Sequence, residues 1–436
     1  MASLRLVTDN PKVSFLIKKN PESGMKVKVL KKGRLFGWYK KREDRLIEYD
    51  IYFQDSPNEI SFKKNSHQEF EYVNSSKYNS PLSVINVIKE YFQSALTRGE
   101  EEEKGNYFYQ LEITSVEIRN RNKIKNIIRQ IDNKSIQVYL EEIHQKEKFE
   151  DYEVYRVRIK TNSLVRLLNF SYLFFSLIAV TDGIEVSTDY SYIERLVKSA
   201  NLIDSTYYLK YLIKFYFIKN DRDFNKIREE LNYSKTDKLD IKNLSNCELR
   251  RRVISDYLEN RRNYNLVDLG SGEGNYLKLS ERLEESRNFY AIDLDERMRK
   301  IIKRKVIERK YSNIVILESI EDFLELGLEE GFIVLMTEVF EHNELFYNKE
   351  LLNKLLSNSF CKEIILTTPN REFNKNYSIE GEGLRHIDHK FEMTKNELSD
   401  WIEENFSGMD YKIENLGDEV NGISTSLIIK LKKRRF

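Results

Sequence analysis

Two cysteines, five prolines and sixteen glycines in 436 residues are small numbers, and each excludes a class of protein. Cys247 and Cys361 lie far apart, which excludes a disulfide framework and zinc-ribbon spacing and fits a reducing cytosol. The low proline and glycine contents exclude collagen-like and proline-rich linker architectures. The start has no signal-peptide pattern, and the most apolar run, residues 170–180, is too short to span a bilayer. We therefore expect a cytoplasmic protein with no membrane partner.

The chain also has no excess of positive or negative charge, because 72 Lys and Arg balance 71 Asp and Glu to leave a net charge of +1. This balance excludes a uniformly basic nucleic-acid coat protein and an acidic disordered chain, so a nucleic-acid partner would need a local patch. Histidine is scarce as well: there are five, and three of them fall between positions 342 and 389. That clustering is the first indication of a site.

The first half of the chain predicts a mixed α/β domain over residues 1–218, for a protein whose length suggests two or three domains. Strand patterns cover 26–30, 45–54, 107–118 and 153–160, Ser80-Pro81 begins a predicted helix over 82–96, and the rest of 119–218 is predicted to be mostly helical. The acidic run 100–103 predicts a solvated loop. The charged stretch 219–246 predicts a linker to a second domain, 247–436.

In the second domain, short apolar strands alternate with helices. The predicted strands cover 265–270, 289–295, 313–319, 332–339 and 363–369, with a closing pair at 411–417 and 424–432. A helix is predicted over 276–286, and Thr394 with Glu397 predicts a capping box before another. This alternation indicates an α/β fold whose mostly parallel sheet has helices on both faces.

A glycine-rich loop follows the first of these strands, in Asp268-Leu-Gly270-Ser-Gly272-Glu-Gly274. Its G-x-G-x-G spacing after an acid differs from the G-x-G-x-x-G of dinucleotide loops and resembles the S-adenosylmethionine loop of Rossmann-like methyltransferases. Asp293 ends the second strand, where a carboxylate can accept both ribose hydroxyls of that cofactor. Ser319 follows the third strand, where the adenine usually makes contact. The alternative is a tight turn whose glycines serve packing alone.

Two carboxylates and a histidine follow the fourth strand, at the edge of the sheet where ligands bind in open α/β folds. Glu338, Glu341 and His342 are three and four residues apart, which predicts one helix face. Neighbouring carboxylates repel unless a proton or a cation intervenes, and this mixture of oxygen and nitrogen donors favours Mn²⁺ or Mg²⁺. The alternative is a solvated acidic start of a helix.

One more ligand is needed, and His386 and His389 are the candidates because both follow the fifth strand at the same edge. Asp388 and Glu392 are candidates to orient them. A cation would lower the pKa of a ribose hydroxyl and align it with a methyl sulfonium. A vicinal diol offers two oxygens to one cation, and only a terminal ribose has both hydroxyls free.

Four stretches of the second domain resemble the RNA 3′-terminal ribose 2′-O-methyltransferases of the Hen type: VDLGSGEGNYL, TEVFEH, ILTTPNREFN and LRHIDHKFEMT. That family makes class I Rossmann-like, metal-dependent enzymes. The resemblance implies that Glu338, Glu341, His342 and His389 bind the metal and that His386 is a neighbour of the active site. It also implies S-adenosylmethionine as methyl donor and an RNA 3′ end with free 2′- and 3′-hydroxyls as substrate.

Before residue 220 the chain is more loosely similar to the extra domain of the bacterial branch, mainly through YVNSSKYNSPLSVINVIKEYFQSAL at 72–96. This resemblance implies a partnership with a polynucleotide kinase–phosphatase–ligase during RNA repair. Two residues depart from the family pattern: Met393 stands where it usually has Trp, and Ser271 where it usually has Cys. Both are changes of packing, and neither removes a ligand.

Three other functions compete with this interpretation. A metal-dependent O-methyltransferase for a small catechol-like diol would use the same chemistry, although the large N-terminal domain and the basic runs 300–310 and 431–436 favour a phosphate-bearing substrate. Methylation of a nucleobase amine resembles families with a different motif after the fourth strand. In the third alternative the N-terminal domain is a scaffold that docks a ligase.

Overall fold

The computed structural model describes residues 3–30, 33–43, 46–55, 79–97, 105–131, 135–144, 153–377 and 383–434. The chain divides into two compact units, Met1–Thr236 and Asp237–Phe436, within the charged stretch 219–246. The acidic run 100–103, residues 72–78 of the N-terminal resemblance and the last two residues of the basic tail lie outside the described residues.

The N-terminal unit combines an antiparallel sheet with helices. Its strands are β1 (Ser3–Thr8), β2 (Lys26–Leu30), β3 (Gly33–Glu43), β4 (Leu46–Asp55), β5 (Tyr109–Ile118), β6 (Ile136–His144) and β7 (Glu153–Thr161). Its helices are α1 (Val13–Leu16), α2 (Pro81–Tyr91), α3 (Gln93–Leu96), α4 (Arg121–Arg129), α5 (Leu164–Thr181), α6 (Tyr190–Leu202), α7 (Tyr207–Phe217) and α8 (Asp221–Asn232). Within the described residues the sheet has the order β2-β3-β4-β1-β5-β7-β6. The mixed α/β prediction is confirmed.

Helix α5 is the centre of this unit and contacts α2, α6, β5 and β7. In the described part of the chain it is the one helix whose length and composition would suit a membrane, but 83% of it is buried inside the unit. The hydroxyls of Ser171 and Ser176 donate to carbonyls one turn earlier in the helix, at 2.7 Å, so no polar group opens towards the core. The apolar run 170–180 therefore belongs to a core helix.

Two segments differ from the expectation of a mostly helical region followed by a linker. Residues 136–144 form β6, an edge strand; its apolar residues are spaced three and four apart as well as two, so the sequence suits either element. The charged stretch contains α8, in which Phe224, Ile227 and Leu231 form one buried stripe. Asn220 caps α8 by accepting the amide of Asp223 at 2.9 Å.

The C-terminal unit alternates strands and helices. Its strands are β8 (Leu239–Asp240), β9 (Asn265–Leu269), β10 (Phe289–Ile292), β11 (Ile314–Leu317), β12 (Phe332–Thr337), β13 (Cys361–Pro369), β14 (Met409–Val420) and β15 (Ile423–Lys433). Its helices are α9 (Asn246–Leu258), α10 (Glu296–Arg309), α11 (Ile320–Glu325), α12 (Leu345–Ser357) and α13 (Lys395–Asn405). Strands β9 to β13 are parallel, and β14 and β15 form an antiparallel hairpin beside β13. The predicted α/β fold class is confirmed.

The sheet order β11-β10-β9-β12-β13-β15-β14-β8 positions the site. From β9 the chain continues to β10 and β11 on one side, and it then returns to β12, on the other side of β9, and continues to β13. The direction in which the chain moves across the sheet therefore reverses between β9 and β12, and ligands of open sheets bind at the carboxyl ends of the strands at such a point. Alternate residues of β12 pack into the hydrophobic clusters on opposite faces: Val334 and Met336 join one, and Ile333 and Leu335 join the other. Helices therefore cover both faces, as expected.

The helix predicted over 276–286 is wrong, because this segment forms a 3₁₀ helix at Leu277–Arg282. Leu277 and Leu279 are both buried although they are two residues apart, a spacing that one face of an α-helix does not offer. By contrast, the capping box is confirmed: Thr394 accepts the amide of Glu397 at 3.2 Å, and Glu397 accepts the amide of Thr394 at 2.8 Å.

Candidate functional site

The glycine-rich loop connects β9 to the 3₁₀ helix and uses left-handed backbone at Gly270 (φ +72°), Gly272 (φ +53°) and Gly274 (φ +75°). A Cβ at Gly270 would lie 2.4 Å from a methyl group of Val339, whereas a Cβ at Gly272 would meet no atom within 4 Å. Gly270 therefore allows close contact with the segment after β12, and Gly272 leaves open space at the loop.

This contrast predicts different costs for two alanine substitutions. Gly270→Ala adds a clash with Val339 to the left-handed strain, whereas Gly272→Ala adds the strain alone. We expect Gly272→Ala to lower the free energy of unfolding by about 1 kcal/mol and Gly270→Ala by about 3 kcal/mol or more. Urea unfolding of both variants measures the difference, and equal costs would contradict the close approach.

Three of the expected cofactor residues, Gly270, Asp293 and Ser319, line one cleft together with Val339 and Asn343. We call it the cofactor cleft. The carboxylate of Asp293 accepts the amide of Gly272 at 2.7 Å, which fixes the loop. The hydroxyl of Ser319 accepts the amide of Asp322 at 3.2 Å and caps α11, so this side chain already has a structural role.

The other three, Asp268, Gly272 and Gly274, do not line the cofactor cleft. Asp268 is fully buried beneath the loop, and neither of its carboxylate oxygens has a hydrogen-bond partner among the described residues. Burial raises its pKa to about 7 because the charged form loses its hydration. This arrangement therefore offers no direct contact between Asp268 and a ligand.

The segment after β12 is not the helix that the spacing suggests. Glu338 has left-handed backbone (φ +56°), and a 3₁₀ turn follows at Phe340–His342. The amide of Glu338 donates to the carbonyl of Thr367 at 3.1 Å, which holds the end of β12 against β13. The expectation of one helix face was wrong because a single left-handed residue re-aims the chain.

The turn nevertheless brings two expected ligands together with a third from distant sequence. Glu341, His342 and His389 each offer a ligand atom, and these atoms lie within 4.8 Å of one another. The amide of Lys390 donates to the carbonyl of Glu341 at 2.8 Å, so a backbone bond holds the two segments side by side. The rings of His342 and His389 are 4.9 Å apart. We call these three residues the triad.

Glu341 provides the test of whether a cation suits the triad. Its side chain is fully buried, and neither carboxylate oxygen has a hydrogen-bond partner among the described residues. Burial, with a smaller contribution from the charge of Glu338, raises the pKa of Glu341 to about 8. Burial and the neighbouring His389 lower the pKa of His342, which favours its neutral, ligating form. The donor set therefore fits a divalent cation.

Glu392 orients His389. Its buried carboxylate accepts the Nδ1–H of His389 at 2.6 Å, the side-chain amide of Asn374 at 2.7 Å and the backbone amide of Arg385 at 2.8 Å. Because a carboxylate only accepts, Nδ1 carries the proton and Nε2 is the ring nitrogen left as a ligand. Of the two candidates to orient the histidines, Glu392 contacts His389, whereas Asp388 lies beside His386.

Two expected site residues lie outside the triad. Glu338 forms an ion pair with Arg250 at 3.0 Å and accepts the hydroxyl of Thr367 at 3.2 Å. His386 is exposed, with its ring 5.7 Å from that of His389 and its Nδ1 3.5 Å from Asp388. Sequence reasoning missed the pairing of Arg250 with Glu338, since no spacing rule connects residues 88 positions apart.

Comparisons with known proteins identify a family and a shared fold. A family model described as the Hen1 N-terminal domain matches residues 3–236. A small RNA 2′-O-methyltransferase of Caenorhabditis elegans is 38% identical over 71 residues, and this match spans 16% of each protein. A chain in the structure of a Pnkp1/Rnl/Hen1 RNA repair complex has a similar fold, with a TM-score of 0.77 and 20% sequence identity. The match covers 99% of the present protein and 100% of the chain in the complex. A second structure of a Pnkp1/Rnl/Hen1 complex matches with a TM-score of 0.76, 19% identity and the same coverage. These structures share the fold.

Proposed function

The chain belongs to the Hen1 family, and on that premise we propose that it transfers a methyl group from S-adenosylmethionine to the 2′-hydroxyl of the 3′-terminal ribose of RNA. The observation that carries the proposal is the triad, three ligand-bearing side chains within 4.8 Å of one another. Val339 and Asn343, on either side of the triad's turn, also line the cofactor cleft. A cation site and a methyl-donor site at one sheet edge suit methyl transfer to a diol.

We propose Glu341, His342 and His389 as ligands of Mn²⁺ or Mg²⁺, with Glu338 as the fourth. When bound, the cation lowers the pKa of the ribose hydroxyls and holds them in line with the methyl group. Glu392 fixes the ring of His389, and Arg250 neutralises the carboxylate of Glu338 until it becomes a ligand. His386, exposed beside His389, is positioned to contact the RNA end or to accept its proton.

The cofactor cleft is proposed to hold S-adenosylmethionine. Gly270 lines the cleft and allows the backbone to approach the cofactor, while Gly272 and Gly274 shape the loop and Asp268 supports it from beneath. Asp293 supplies a carboxylate for the ribose of the cofactor. Ser319 lines the same cleft and is proposed to contact the adenine.

We further propose that the chain works in the cytoplasm beside a polynucleotide kinase–phosphatase–ligase during RNA repair. The fold that it shares with a chain of the Pnkp1/Rnl/Hen1 complex supports this setting. A repair complex suits a 3′-end methyltransferase, since removal of the phosphate from a cleaved 3′ end exposes the terminal diol that a cation can bind.

A comparison of three substrates tests the proposed function. Purified protein is incubated with labelled S-adenosylmethionine, Mn²⁺ and either RNA with a 3′-hydroxyl, the same RNA with a 3′-phosphate, or catechol. We expect label only in the RNA with a free terminal diol, and that product should resist periodate. Transfer to catechol but not to RNA would favour a small-molecule enzyme, and periodate resistance without the cofactor would count against methylation.

A further inference from the structure

A second cleft of the C-terminal unit is lined by basic side chains and, among the described residues, by no acidic one. Its volume is about 300 Å³. The basic residues come from three segments: Arg251 of α9, Lys278 and Arg282 of the 3₁₀ helix, and Lys305 and Arg309 of α10. We call it the basic cleft. It gathers five positive charges in a chain whose net charge is +1.

Most of these charges lack a carboxylate partner within the described residues. Arg282 has one, Glu259 at 3.4 Å. Lys305 donates to the backbone oxygen of Glu273 at 2.5 Å, and Arg309 reaches the hydroxyl of Tyr311 at 3.5 Å; both contacts leave the positive charge in place. In the described part of the chain, Arg251 and Lys278 have no ion-pair partner. The lining of the cleft therefore carries net positive charge, which an anion would neutralise.

One end of the basic cleft lies at the edge of the sheet that carries the triad, where the glycine-rich loop follows β9. Gly274 of the glycine-rich loop lines it, as does Tyr276, whose hydroxyl lies within range of the charge of Arg250. Arg250 in turn pairs with Glu338, one of the proposed ligands, while its neighbour Arg251 lines the cleft. Two successive arginines of α9 thus lie at different sites, Arg250 beside Glu338 and Arg251 in the basic cleft.

We propose that the basic cleft binds phosphates of the RNA upstream of the terminal ribose. This inference rests on the proposed function and names the part of the substrate that the triad does not hold. A terminal ribose is the same in every RNA, and contacts to the phosphate backbone, which lysine and arginine supply, add affinity that does not depend on sequence. An acidic protein segment would carry the same charge, but the position beside the reacting edge favours the RNA.

Two double variants that remove equal charge test the proposal. Arg251→Gln/Lys278→Gln changes the cleft, whereas Lys303→Gln/Arg304→Gln changes exposed residues of α10 outside it. Fluorescence anisotropy measures the binding of a labelled single-stranded RNA of about ten nucleotides over a series of salt concentrations. We expect the cleft variant to bind about tenfold more weakly, with a salt dependence of log K shallower by about 1.4, since each phosphate contact contributes about 0.7. The control variant should match the wild type.

The outcomes separate this inference from the proposed function. Equal binding by both variants, with RNA methylated normally by the wild type, would overturn the basic cleft alone. Weakened RNA binding by the cleft variant, with no methylation of any RNA by the wild type, would overturn the function and keep the cleft as an RNA site. Displacement of the RNA by inorganic phosphate at an equal phosphate concentration would indicate a site for small anions and overturn the proposal. Unchanged RNA binding with lost association to the purified kinase–phosphatase–ligase would assign the cleft to a protein.

Discussion

Glu341→Gln is expected to abolish methyl transfer to RNA and, at the same time, to make the metal-free protein harder to unfold at pH 8. The loss of transfer follows from removing the charge that binds the cation. A cation supplies several kcal/mol of stabilisation at about 1.36 kcal/mol per factor of ten, so the rate should fall by about a thousandfold or more. The gain in stability follows from the same burial that makes Glu341 a good ligand.

The pH dependence of that gain has a definite sign. The pKa of Glu341 is about 8 in the folded protein and about 4.3 in an unfolded chain. Between these values the folded state keeps a proton that the unfolded state has released, so wild-type stability falls as pH rises through this window and levels off above it. Glutamine has no proton to lose, so the advantage of the variant should grow from pH 5 to pH 8.

Thermal unfolding at a series of pH values, with and without Mn²⁺, measures this effect. Each kcal/mol gained in the free energy of unfolding should raise the Tm of a unit of this size by about 2–4 °C. Glu344→Gln is the matched control, because it makes the same change at an exposed carboxylate three residues away. Added Mn²⁺ should stabilise the wild type and the control but not Glu341→Gln. A Tm difference independent of pH would show that Glu341 is not a buried, unpaired carboxylate.

A second substitution at the same position separates catalysis from scaffolding. Glu341→Ala, which removes the ligand altogether, should retain association with a kinase–phosphatase–ligase partner while losing methyl transfer. A chain whose N-terminal unit served only as a scaffold would lose nothing in either variant. Loss of partner binding in Glu341→Ala would instead indicate misfolding of the chain, which the Tm of the variant reveals.

Much of the C-terminal fold could be predicted because its strands are short apolar runs that end in polar residues. Parallel strands bring their carboxyl ends to one edge, so Asp293, Ser319 and Glu341 were expected there from topology alone. Periodicity fails where one residue leaves the regular conformation. The left-handed backbone at Glu338 converts an expected helix face into a turn, and no pattern of residue types announces it.

Long-range pairing was the other feature beyond prediction. Arg250 lies on α9 beside two further arginines, and nothing in the sequence distinguishes the one that pairs with Glu338. Position along the chain also left the choice between the two histidines open, because His386 and His389 both follow the fifth strand, and the family resemblance alone favoured His389. The structure separates them through Glu392, whose buried carboxylate contacts the ring of His389 and leaves His386 exposed.

Glu392→Gln is expected to weaken Mn²⁺ binding by about 10–100-fold while leaving the rate at saturating Mn²⁺ within a few fold of the wild type. The three groups that Glu392 accepts from, His389, Asn374 and the amide of Arg385, are all donors. A glutamine presents an NH₂ group to at least one of them and removes the negative charge, so the bond that orients the ring of His389 is weakened even where the glutamine oxygen faces it. The proposed ligand remains present but is no longer oriented, which lowers affinity more than it lowers the saturated rate.

The dependence of methyl transfer on Mn²⁺ concentration measures this split, with Glu372→Gln as control because Glu372 is an exposed carboxylate on the neighbouring 3₁₀ helix. His389→Ala should differ from Glu392→Gln, since it removes the ligand and excess Mn²⁺ should not restore the rate. A positioning role requires recovery by added Mn²⁺. If Glu392→Gln lowers the saturated rate without changing the Mn²⁺ requirement, Glu392 supports the fold of the 383–392 segment and does not orient a metal ligand.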